Sequence, residues 1–424
     1  MNEQDRPHVV VIGGGPAGLI AAEVAATGGA RVTLYEAKAS VGRKLLVAGR
    51  GGLNLTHGED IETFVTRYRS EGVEAHWWAQ CLAEFSPSML RNWAAGLGIE
   101  TFEQRTGRVY PREMKAAPLL RRWVARLREQ GVVFCMKHRW RGIERVGSSH
   151  RWRLQFEVET GGSEVEADAV IFAMGGASWS ITGSDGRWRE TMESLGVKVT
   201  PWQSANCGWE VEWSTEMLAV EGKPIKNAMA SVGAEKVKGE LMVTRYGIEG
   251  GIIYQLGPAL RSMAEPMLTI DLKPDATAEQ LREKMAFCSS DLCSSDLLNS
   301  AVKRWRLGEA ATALFREKAR DMGVIRVEEL VRLVKAVGVR LKNSRPVEEA
   351  ISSAGGISWQ ELAPDLSLQQ WPGVFAAGEM VDWEAPTGGY LMQGCFAMGQ
   401  RAARSALAFC GMQRSIELSP WEKY

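Results

Sequence analysis

The first forty residues alternate between short apolar runs and one segment of small residues. Residues 8–12 are rich in β-branched side chains, residues 19–29 are small and apolar, and residues 31–36 form a second run that ends in an acid. Short continuous apolar runs are typical of strands that are buried on both faces of a parallel sheet. The order strand, helix, strand therefore predicts a βαβ unit, and we expect an α/β fold.

Alternation of helical and strand patterns continues to about residue 196. Residues 119–130 predict a cationic amphipathic helix, for which Gly131 is a natural C-terminal stop. The other predicted elements are helices over 61–97 and 187–195, strands over 132–138 and 168–176, and a hairpin over 152–158 and 164–166.

The pattern changes between about residues 197 and 344. Alternating short runs in its first part predict β-strands, and the stretch from 277 to about 339 is mostly helical in character. We therefore expect an inserted β domain followed by helices. The predicted strands of the insert include the runs 210–213, 239–248 and 268–271.

A last apolar run, residues 371–379, has the character of a central strand. It lies beyond the insert, so it can be buried on both faces only by rejoining the first sheet. A helix of small residues is predicted after it, over 394–410. The first domain is therefore expected to be built from both ends of the chain.

Three glycines follow the first predicted strand in the spacing G-x-G-x-x-G, at Gly13, Gly15 and Gly18. Gly13 permits a tight turn, Gly15 lets a pyrophosphate approach the backbone, and Gly18 lets the helix lie close to the strand. The N-terminus of that helix attracts phosphate. Glu36 ends the second strand, where its carboxylate can accept both ribose hydroxyls of an adenosine and would repel the 2′-phosphate of NADP. The whole unit predicts a dinucleotide site.

A glycine-rich stretch over residues 41–57 follows Glu36. It contains four glycines and three cations, Arg43, Lys44 and Arg50. This composition predicts a loop without a packed element of its own, whose backbone wraps an anionic or planar ligand.

Further glycine sites lie after the later strands, at Gly175 and at Gly378. Glu379 can accept the ribityl hydroxyls of a flavin, and the N-terminus of the following helix can face the pyrimidine edge of the ring. Gly388 and Gly389 lack a Cβ, so the backbone there could press against the flavin. Because the signature lies at both ends of the chain, we expect FAD rather than NAD as the bound ligand.

Composition excludes several classes of function. Basic and acidic residues number 51 each, which gives no reason to expect a nucleic-acid or membrane partner. No apolar run reaches 18 residues, and the N-terminus is polar, so we expect a cytoplasmic protein. The seven cysteines include no C-x-x-C pair and no cluster with histidine at ligand spacing, which argues against a dithiol redox pair and a metal site.

A tandem repeat of five residues occurs at 288–297, where Cys-Ser-Ser-Asp-Leu is written twice. Two copies are too few for a repeat fold. The DNA that encodes this pentapeptide resembles sequencing-adapter sequence, so we interpret the repeat as an assembly artefact and assign it no function.

The motifs together resemble one family over nearly the whole chain, from Val9 to about Gly411. The motifs are the glycine turn at 11–18, Gly42-Arg43-Lys44, Asn54-Leu55-Thr56, 107–111, 244–247, 355–357, 377–379 and 387–390. They are similar to those of the YhiN/BaiN-like bacterial NAD(P)/FAD-dependent flavoproteins, within the glutathione-reductase-like FAD fold. One departure is Gly49-Arg50-Gly51-Gly52-Leu53-Asn54, where many members have Gly-Gly-Gly-Arg-Cys-Asn. Leu53 cannot supply the chemistry of a thiol.

This resemblance implies a Rossmann-like FAD-binding domain, an inserted β-barrel and a small helical domain. The composition changes place their boundaries at 1–196 with 345–424, at 197–276 with about 325–344, and at 277–324. The expected activity is hydride transfer through flavin N5 between a nicotinamide nucleotide and an organic acceptor such as an activated C=C bond. No second G-x-G-x-x-G unit exists, so NAD(P)H would visit a shared cleft.

Two alternatives remain open, an FAD-dependent RNA-modifying enzyme and a non-catalytic flavin-binding protein. The balanced charge favours a small-molecule substrate over RNA. No catalytic residue can be assigned, because Tyr110, His57, Tyr246 and Tyr390 lie in motif stretches where a structural role is favoured. The candidate cofactor-binding residues are Gly13, Gly15, Pro16, Ala17, Gly18, Glu36, Arg43, Lys44, Arg50, Gly51, Asn54, Gly175, Gly378, Glu379, Gly388, Gly389 and Tyr390.

Overall fold

The computed structural model describes residues 6–286, 294–323 and 326–412, without the side chains of Arg50 and Ser294. The chain divides into two compact units. One is built from the residues up to Gln203 together with those from Ser352 onwards, and the other is Ser204–Ile351. The first unit is therefore discontinuous, and the second is inserted into it.

The first unit contains most of the helices and the parallel strands. Its elements up to the insert are β1 (His8–Ile12), α1 (Pro16–Thr27), β2 (Arg31–Glu36), α2 (Arg43–Ala48), β3 (Thr56–His57), α3 (Ile61–Val65), α4 (Ala75–Glu84), α5 (Pro87–Gly96), β4 (Thr101–Glu103), β5 (Arg108–Pro111), α6 (Ala116–Glu129), β6 (Val133–Met136), β7 (Arg139–Arg145), β8 (Trp152–Val158), β9 (Gly161–Ala167), β10 (Ala169–Phe172), α7 (Trp188–Ser194) and β11 (Val199–Ala205). Short 3₁₀ helices lie at Gly49–Gly51, Trp359–Glu361 and Gly378–Met380.

The insert contains a second set of strands and helices, and the chain then returns to the first unit. The elements of the insert are β12 (Trp209–Glu210), α8 (Thr215–Leu218), β13 (Pro224–Val232), β14 (Glu235–Thr244), β15 (Gly247–Glu249), α9 (Gly251–Arg261), β16 (Met267–Asp271), α10 (Ala278–Met285), α11 (Ser294–Trp305), α12 (Glu309–Asp321), α13 (Val327–Lys335) and β17 (Val337–Arg340). The returning chain forms β18 (Ser352–Ile357), β19 (Val374–Ala376) and α14 (Tyr390–Phe409).

A five-stranded parallel sheet forms the centre of the first unit, in the order β19-β10-β1-β2-β6. Val10 lies between Val170 and Thr33, and Phe172 pairs with Ala376. All residues of β1, β10 and β19 are buried, as expected for strands covered on both faces. The prediction that residues 371–379 rejoin the first sheet is confirmed.

Helices α1 and α14 pack closely because small residues line their contact. A Cβ on Gly399 would lie 2.3 Å from the carbonyl oxygen of Ala17, and one on Gly28 would lie 2.4 Å from the side chain of Leu407. This contact holds the C-terminal helix against the helix of the first βαβ unit, and it places the two ends of the chain side by side.

Two smaller antiparallel sheets flank the parallel one. The predicted hairpin is confirmed as β8 and β9, and β7 adds a third strand to it. The other sheet has the order β3-β5-β4. Residues 61–97 are helical as predicted, although they are divided into α3, α4 and α5.

The insert contains a six-stranded antiparallel sheet in the order β12-β15-β14-β13-β16-β17. Its two edges meet, because the Lys342 N–H donates to the Glu210 carbonyl and the Glu210 N–H donates to the Asn343 carbonyl, both at 2.9 Å. The sheet therefore closes into the expected barrel. The helices α10 to α13 share one hydrophobic core with it, and their assignment to a separate domain stays a prediction.

Residues 337–340 form β17 within the range of about 325–344 that was assigned to the barrel, because their alternate side chains are buried. Two local predictions were wrong. Of the predicted strand at 210–213, only Glu210 lies in a strand, because β12 spans Trp209–Glu210. The glycine-rich stretch after Glu36 contains α2 where a loop was expected, because Leu45 buries against the core and gives the short helix a packed face.

The tandem repeat lies mostly outside the described residues. The first copy and Cys293 are not described, and the second copy begins α11. The artefact interpretation stays a prediction. Among the described residues, no helix combines the length and apolar character needed to cross a bilayer.

Candidate functional site

A cavity opens where β1, β2, β10 and β19 end. Because these strands are parallel, their carboxyl ends meet at one edge of the sheet, where open α/β sheets bind ligands. The cavity is lined by residues 12–17, 35–38, 40, 42–45, 138–141, 173–176, 182–185, 187, 188, 191, 377, 379 and 395.

The glycines of the first turn have different surroundings. Gly13 has φ of +112°, and a Cβ there would lie 2.2 Å from the Ala173 carbonyl oxygen. A Cβ on Gly18 would lie 1.9 Å from the Gly13 carbonyl oxygen. Gly15 has no described atom within 4 Å of its Cβ position. Gly13 and Gly18 are therefore required by the packing of the turn, whereas Gly15 faces open space.

The N-terminus of α1 forms one wall of this cavity. Pro16 occupies the first turn of α1, and among the described side chains none caps that turn. The first-turn N–H groups and the positive end of the helix dipole are therefore free for an anion. The turn thus offers a phosphate site, as the sequence predicts.

The carboxylate of Glu36 is held by two backbone hydrogen bonds. Oε2 accepts from the Gly14 N–H at 2.8 Å, and Oε1 accepts from the Lys38 N–H at 2.7 Å. Each carboxylate oxygen has a second lone pair, so the group can still accept hydroxyl hydrogens. Its orientation is fixed without any ligand.

Lys44 and Glu379 form an ion pair in the cavity wall. Lys44 Nζ donates to Glu379 Oε2 at 2.7 Å and to Ser178 Oγ at 2.8 Å. The side chains of Lys44 and Glu379 are 28% and 13% exposed, so the pair is shielded from solvent. Three distant segments thus meet at one charged network.

Cys395 lies beside this network. Burial, with the Glu379 carboxylate as a further cause, raises the pKa of the Cys395 thiol to about 12. The thiol stays protonated at neutral pH, so Cys395 is not suited to nucleophilic chemistry.

Several buried polar atoms at the cavity have no partner within the described part of the chain. Arg43 Nε and Thr182 Oγ1 belong to lining residues, and neither atom makes a hydrogen bond to a described residue. In the neighbouring stretch, Asn54 Oδ1 and Thr56 Oγ1 are also without a partner. Buried polar groups are normally paired, so the atoms of the two lining residues, Arg43 and Thr182, fit a site that a polar ligand completes.

The structure brings nine of the predicted site residues to this cavity and leaves others outside its wall. The lining residues are Gly13, Gly15, Pro16, Ala17, Glu36, Arg43, Lys44, Gly175 and Glu379. Gly18, Gly51, Asn54, Gly378, Gly388, Gly389 and Tyr390 do not line it, and the side chain of Arg50 lies outside the described residues.

The surroundings of Gly389 give a structural explanation for a glycine at this position. It has φ of +100°, and its Cβ would lie 2.5 Å from backbone atoms of Thr56. A side chain there would collide with the protein itself. This packing requirement accounts for the glycine at 389, and the contact with a flavin edge stays a prediction.

Tyr390 takes part in a hydrogen-bonded cluster next to that contact. Its hydroxyl donates to Glu59 Oε1 at 2.6 Å, and Arg67 forms an ion pair with Glu59 at 2.8 Å. Burial, followed by the hydrogen bond to Glu59, raises the pKa of Tyr390. His57 stacks on the Tyr390 ring with centroids 5.3 Å apart. The cluster braces the start of α14.

The other two tyrosines lie outside the cavity wall. Tyr110 is buried in β5. Tyr246 belongs to the inserted unit, where its hydroxyl donates to Glu249 Oε2 at 2.5 Å. Neither lines the cavity.

Sequence reasoning missed two segments of the wall, residues 138–141 and 182–185. They are joined by an ion pair between Arg139 and Asp185 at 3.1 Å. Lys38, which follows β2, also donates from Nζ to the Ser180 carbonyl at 3.0 Å, just before the second segment. Residues 180–186 are mostly polar or glycine in the sequence, but nothing local connects them to Glu36.

Comparison with known families gives one match that spans most of the chain. A model described as the HI0933-like protein Rossmann domain matches residues 7–405.

Curated relatives match over nearly their full length. The chain is 28% identical to a 3-dehydro-bile acid delta(4,6)-reductase of Clostridium scindens, over 94% of this chain and 98% of that protein. It is 21% identical to a ribosomal RNA dihydrouridine synthase of Haemophilus influenzae, over 93% of this chain and 97% of that protein. An Escherichia coli protein of the same name is also 21% identical.

Two solved structures share the fold of this chain over most of its length. A 3-ketosteroid-delta4-(5alpha)-dehydrogenase from Rhodococcus jostii has a TM-score of 0.51 at 15% identity, over 97% of this chain and 98% of that one. A 3-ketosteroid delta1-dehydrogenase from Sterolibacterium denitrificans has a TM-score of 0.52 at 14% identity, over 94% and 99%. At these identities the likeness concerns the fold.

Proposed function

The chain belongs to the HI0933-like Rossmann family of FAD-dependent oxidoreductases, and we propose that it reduces a carbon–carbon double bond conjugated to a carbonyl group. The resemblance to the YhiN/BaiN-like flavoproteins is confirmed. Two kinds of curated relative, a delta(4,6)-reductase and a dihydrouridine synthase, both saturate such a bond in their own substrates. This shared chemistry supports the proposal.

The single observation that carries the proposal is the cavity with a phosphate-binding turn at one end and the Lys44–Glu379 pair in the same wall. The N–H groups of the first turn would hold the pyrophosphate of FAD, and Glu36 would hold its adenosine ribose. Glu379, oriented by Lys44, would accept ribityl hydroxyls. Bound FAD supplies a centre that accepts and donates hydride.

The residues of the cavity and the glycine motifs of the sequence also bear on where the reductant binds. Glu36 disfavours a 2′-phosphate at the first turn, and the chain has no second G-x-G-x-x-G unit. We therefore assign the turn to FAD, and NAD(P)H serves as a transient donor that reaches the site from solvent.

The test is anaerobic reduction of the purified protein, with NADH and NADPH compared by the loss of flavin absorbance. A 3-keto-Δ4 steroid and cyclohexenone are then added as acceptors. We expect absorbance to return with the acceptor and its saturated product to form, whereas free FAD at equal concentration does neither. Reduced flavin that is reoxidised by oxygen but by no conjugated enone would contradict the proposal.

A second substrate class uses the same chemistry, because uracil in RNA contains a C=C bond conjugated to a carbonyl. The two ribosomal RNA dihydrouridine synthases, which the chain matches over 93% and 95% of its length, favour this candidate. Uridine-containing RNA added to the reduced protein would gain two hydrogens per converted base, which mass spectrometry of the digested RNA detects. The absence of dihydrouridine would exclude this class and leave the small enones.

A further inference from the structure

A loop over residues 177–186 contributes residues 182–185 to the wall of the nucleotide cavity. Its two ends lie together, because a Cβ on Gly186 would lie 2.8 Å from the Cβ of Ala177. Compact surface loops with adjacent ends are Ω-loops, and they are frequently functional. Because only this narrow neck joins the loop to the fold, the loop can move without displacing the elements on either side.

The neck of the loop is fixed to the first unit. The Ala177 N–H donates to Ser353 Oγ at 3.0 Å, and the Trp188 indole N–H, just after the loop, donates to the Gly175 carbonyl oxygen at 2.9 Å. Gly175 and Gly186 have φ of +75° and +67°, in a region where glycine meets no steric barrier. Hinges are a few residues that absorb changes in φ and ψ. The ends of the loop are therefore held in place beside two residues suited to act as hinges.

Two polar contacts tie the body of the loop to other parts of the wall. Asp185 forms an ion pair with Arg139 of β7 at 3.1 Å, and the Ser180 carbonyl oxygen accepts from Lys38 Nζ at 3.0 Å. The side chains of Arg139 and Asp185 are 32% and 20% exposed, so water competes for this contact. Partly exposed ion pairs stabilise a structure only modestly. These two contacts, which we call the tethers, can therefore break and re-form without unfolding.

The large apolar side chains of the loop do not fix it to the core. Ile181 is 84% exposed and Trp179 is 38% exposed, and neither belongs to the hydrophobic core of the first unit. Displacement of the loop therefore removes neither side chain from the core. Segments with few buried apolar contacts open at a low free-energy cost.

The loop also carries a polar atom that the protein leaves unpaired. Thr182 Oγ1 is buried and has no hydrogen-bond partner within the described part of the chain. Thr182 lines the cavity, as does Arg43, whose Nε is likewise unpaired. A dinucleotide offers hydroxyl, phosphate and carbonyl oxygens that pair with such groups. A bound dinucleotide would thus add a contact to the loop that the protein alone does not supply, and this contact favours the closed position.

We propose that residues 177–186 form a lid that must open for FAD to enter or leave the cavity, and that the Thr182 hydroxyl contacts the bound cofactor. The proposal rests on FAD as the ligand of this cavity, and it does not depend on which bond the flavin reduces. The tethers hold the lid closed both with and without FAD. The hydroxyl contact exists only when FAD is bound.

These two roles predict different kinetics. A tether that closes the lid in both states slows entry and exit alike, so its loss accelerates both and leaves Kd nearly unchanged. A contact made only to bound FAD slows exit alone, so its loss raises the dissociation rate constant and Kd together. Damage to the fold would not accelerate the entry of FAD.

The experiment compares the unaltered protein with Arg139→Gln, Thr182→Val and a matched control, Arg189→Gln. Arg189 pairs with Glu193 at 2.8 Å on α7 and lies outside the cavity wall. Stopped-flow measurement of flavin fluorescence gives the association rate constant of FAD with apoprotein. Transfer of FAD from holoprotein to an excess of a second FAD-binding apoprotein gives the dissociation rate constant. Circular dichroism shows that each variant folds.

We expect Arg139→Gln to raise both rate constants roughly three- to tenfold and to leave Kd within about twofold of the unaltered value. Thr182→Val should raise the dissociation rate constant alone, roughly three- to tenfold. Both rate constants of Arg189→Gln should stay within about twofold of those of the unaltered protein.

Hydrogen exchange of the holoprotein provides a measurement that needs no apoprotein. The backbone amides of 177–186 should exchange faster in Arg139→Gln than in the unaltered protein, because the lid opens more often. The amides of the β8–β9 hairpin should exchange equally in both proteins. If Arg139→Gln does not fold, Lys38→Gln removes the other tether and should give the same results.

Several outcomes would overturn the proposal. Faster dissociation without faster association in Arg139→Gln would make Arg139 a direct contact of FAD and refute the lid, as would unchanged rates in both tether variants. An unchanged dissociation rate in Thr182→Val would refute the hydroxyl contact. A protein that binds no FAD would refute the lid together with the cofactor assignment. If the rates follow the predicted pattern in a protein that reduces no enone, the lid stands and the enone reductase is refuted.

Discussion

Gly15 and Gly389 lie in two turns of the first unit, and each lacks a side chain for the opposite reason. At Gly15 the Cβ position meets no described atom within 4 Å, whereas at Gly389 it lies 2.5 Å from the Thr56 backbone. The backbone conformations differ as well, since Gly15 has φ of −81° and Gly389 has φ of +100°. The first position tolerates a side chain in the folded chain, and the second does not. The close approach at Gly389 is therefore to protein, and the space at Gly15 is left for a ligand.

The largest expected effect is on the second turn. Gly389→Ala introduces both left-handed strain and a clash with backbone, so we expect the apoprotein to lose on the order of 3–4 kcal/mol of unfolding free energy. Urea denaturation without added FAD measures this. The matched control is Gly131→Ala, which has φ of +85° and no described atom within 4 Å, so strain alone should cost about 1 kcal/mol. Equal costs at both positions would show that the Thr56 contact is unimportant.

His8, in the strand that leads into the first turn, should make the unfolding free energy depend on pH. Burial, and then the charge of Arg31, lowers the pKa of His8 from 6.5 to about 4, although Asp168 opposes the shift. The unfolded chain therefore binds the proton more tightly, and unfolding free energy should rise by about 3 kcal/mol between pH 4 and 6.5 and then level off. Denaturation of the apoprotein across this range measures it. His8→Gln should lack this component, and parallel pH profiles for the two proteins would contradict the assignment.

The first turn should affect ligand binding before it affects folding. Gly15→Val adds a side chain in open space, so the apoprotein should melt close to the unaltered protein while FAD binds on the order of a hundredfold more weakly, about 2.7 kcal/mol. Fluorescence titration of apoprotein with FAD measures the affinity, and Gly15→Ala should show a smaller loss. Unaltered FAD affinity in Gly15→Val would place the pyrophosphate elsewhere.

The smallest expected effect is at the acid beside this turn. Removal of the Glu36 carboxylate should cost about 1.5–3 kcal/mol of FAD binding, roughly ten- to a hundredfold. Since Glu36 also accepts from the Gly14 and Lys38 N–H groups, Glu36→Gln serves as the control that keeps the side-chain volume. We expect Glu36→Gln to fall between the unaltered protein and Glu36→Ala. Titration of the folded proteins with FAD measures these affinities. Equal affinities in the unaltered protein, Glu36→Gln and Glu36→Ala would contradict the role of Glu36 in binding the ribose.

Local features of the first βαβ unit were predictable, because its strand, turn, helix and acid are contiguous in sequence. The apolar character of the run before Gly378 also made it predictable that this run rejoins the parallel sheet. The short helix α2 was missed because six residues form a marginal helix alone, and tertiary packing of Leu45 stabilises it. Its flanking glycines, Gly42 and Gly49, mark the ends of that helix.

The polar network of the cavity could not be predicted from local sequence. Lys44 and Glu379 are separated by 335 positions, and Arg139 and Asp185 by 46. Neither separation has a periodicity that would connect the partners. The same holds for Gly389, where the sequence shows a glycine and only the fold shows that Thr56 requires it.

The most direct test of the account is the identity of the nucleotide that the native protein carries. The protein is purified without added cofactor, denatured by heat, and the released nucleotide is separated by chromatography and quantified against protein concentration. The account predicts a yellow protein that releases FAD at close to one molecule per chain, and Gly15→Val purified in parallel that releases much less. A colourless protein that binds NAD and takes up no added FAD would contradict it.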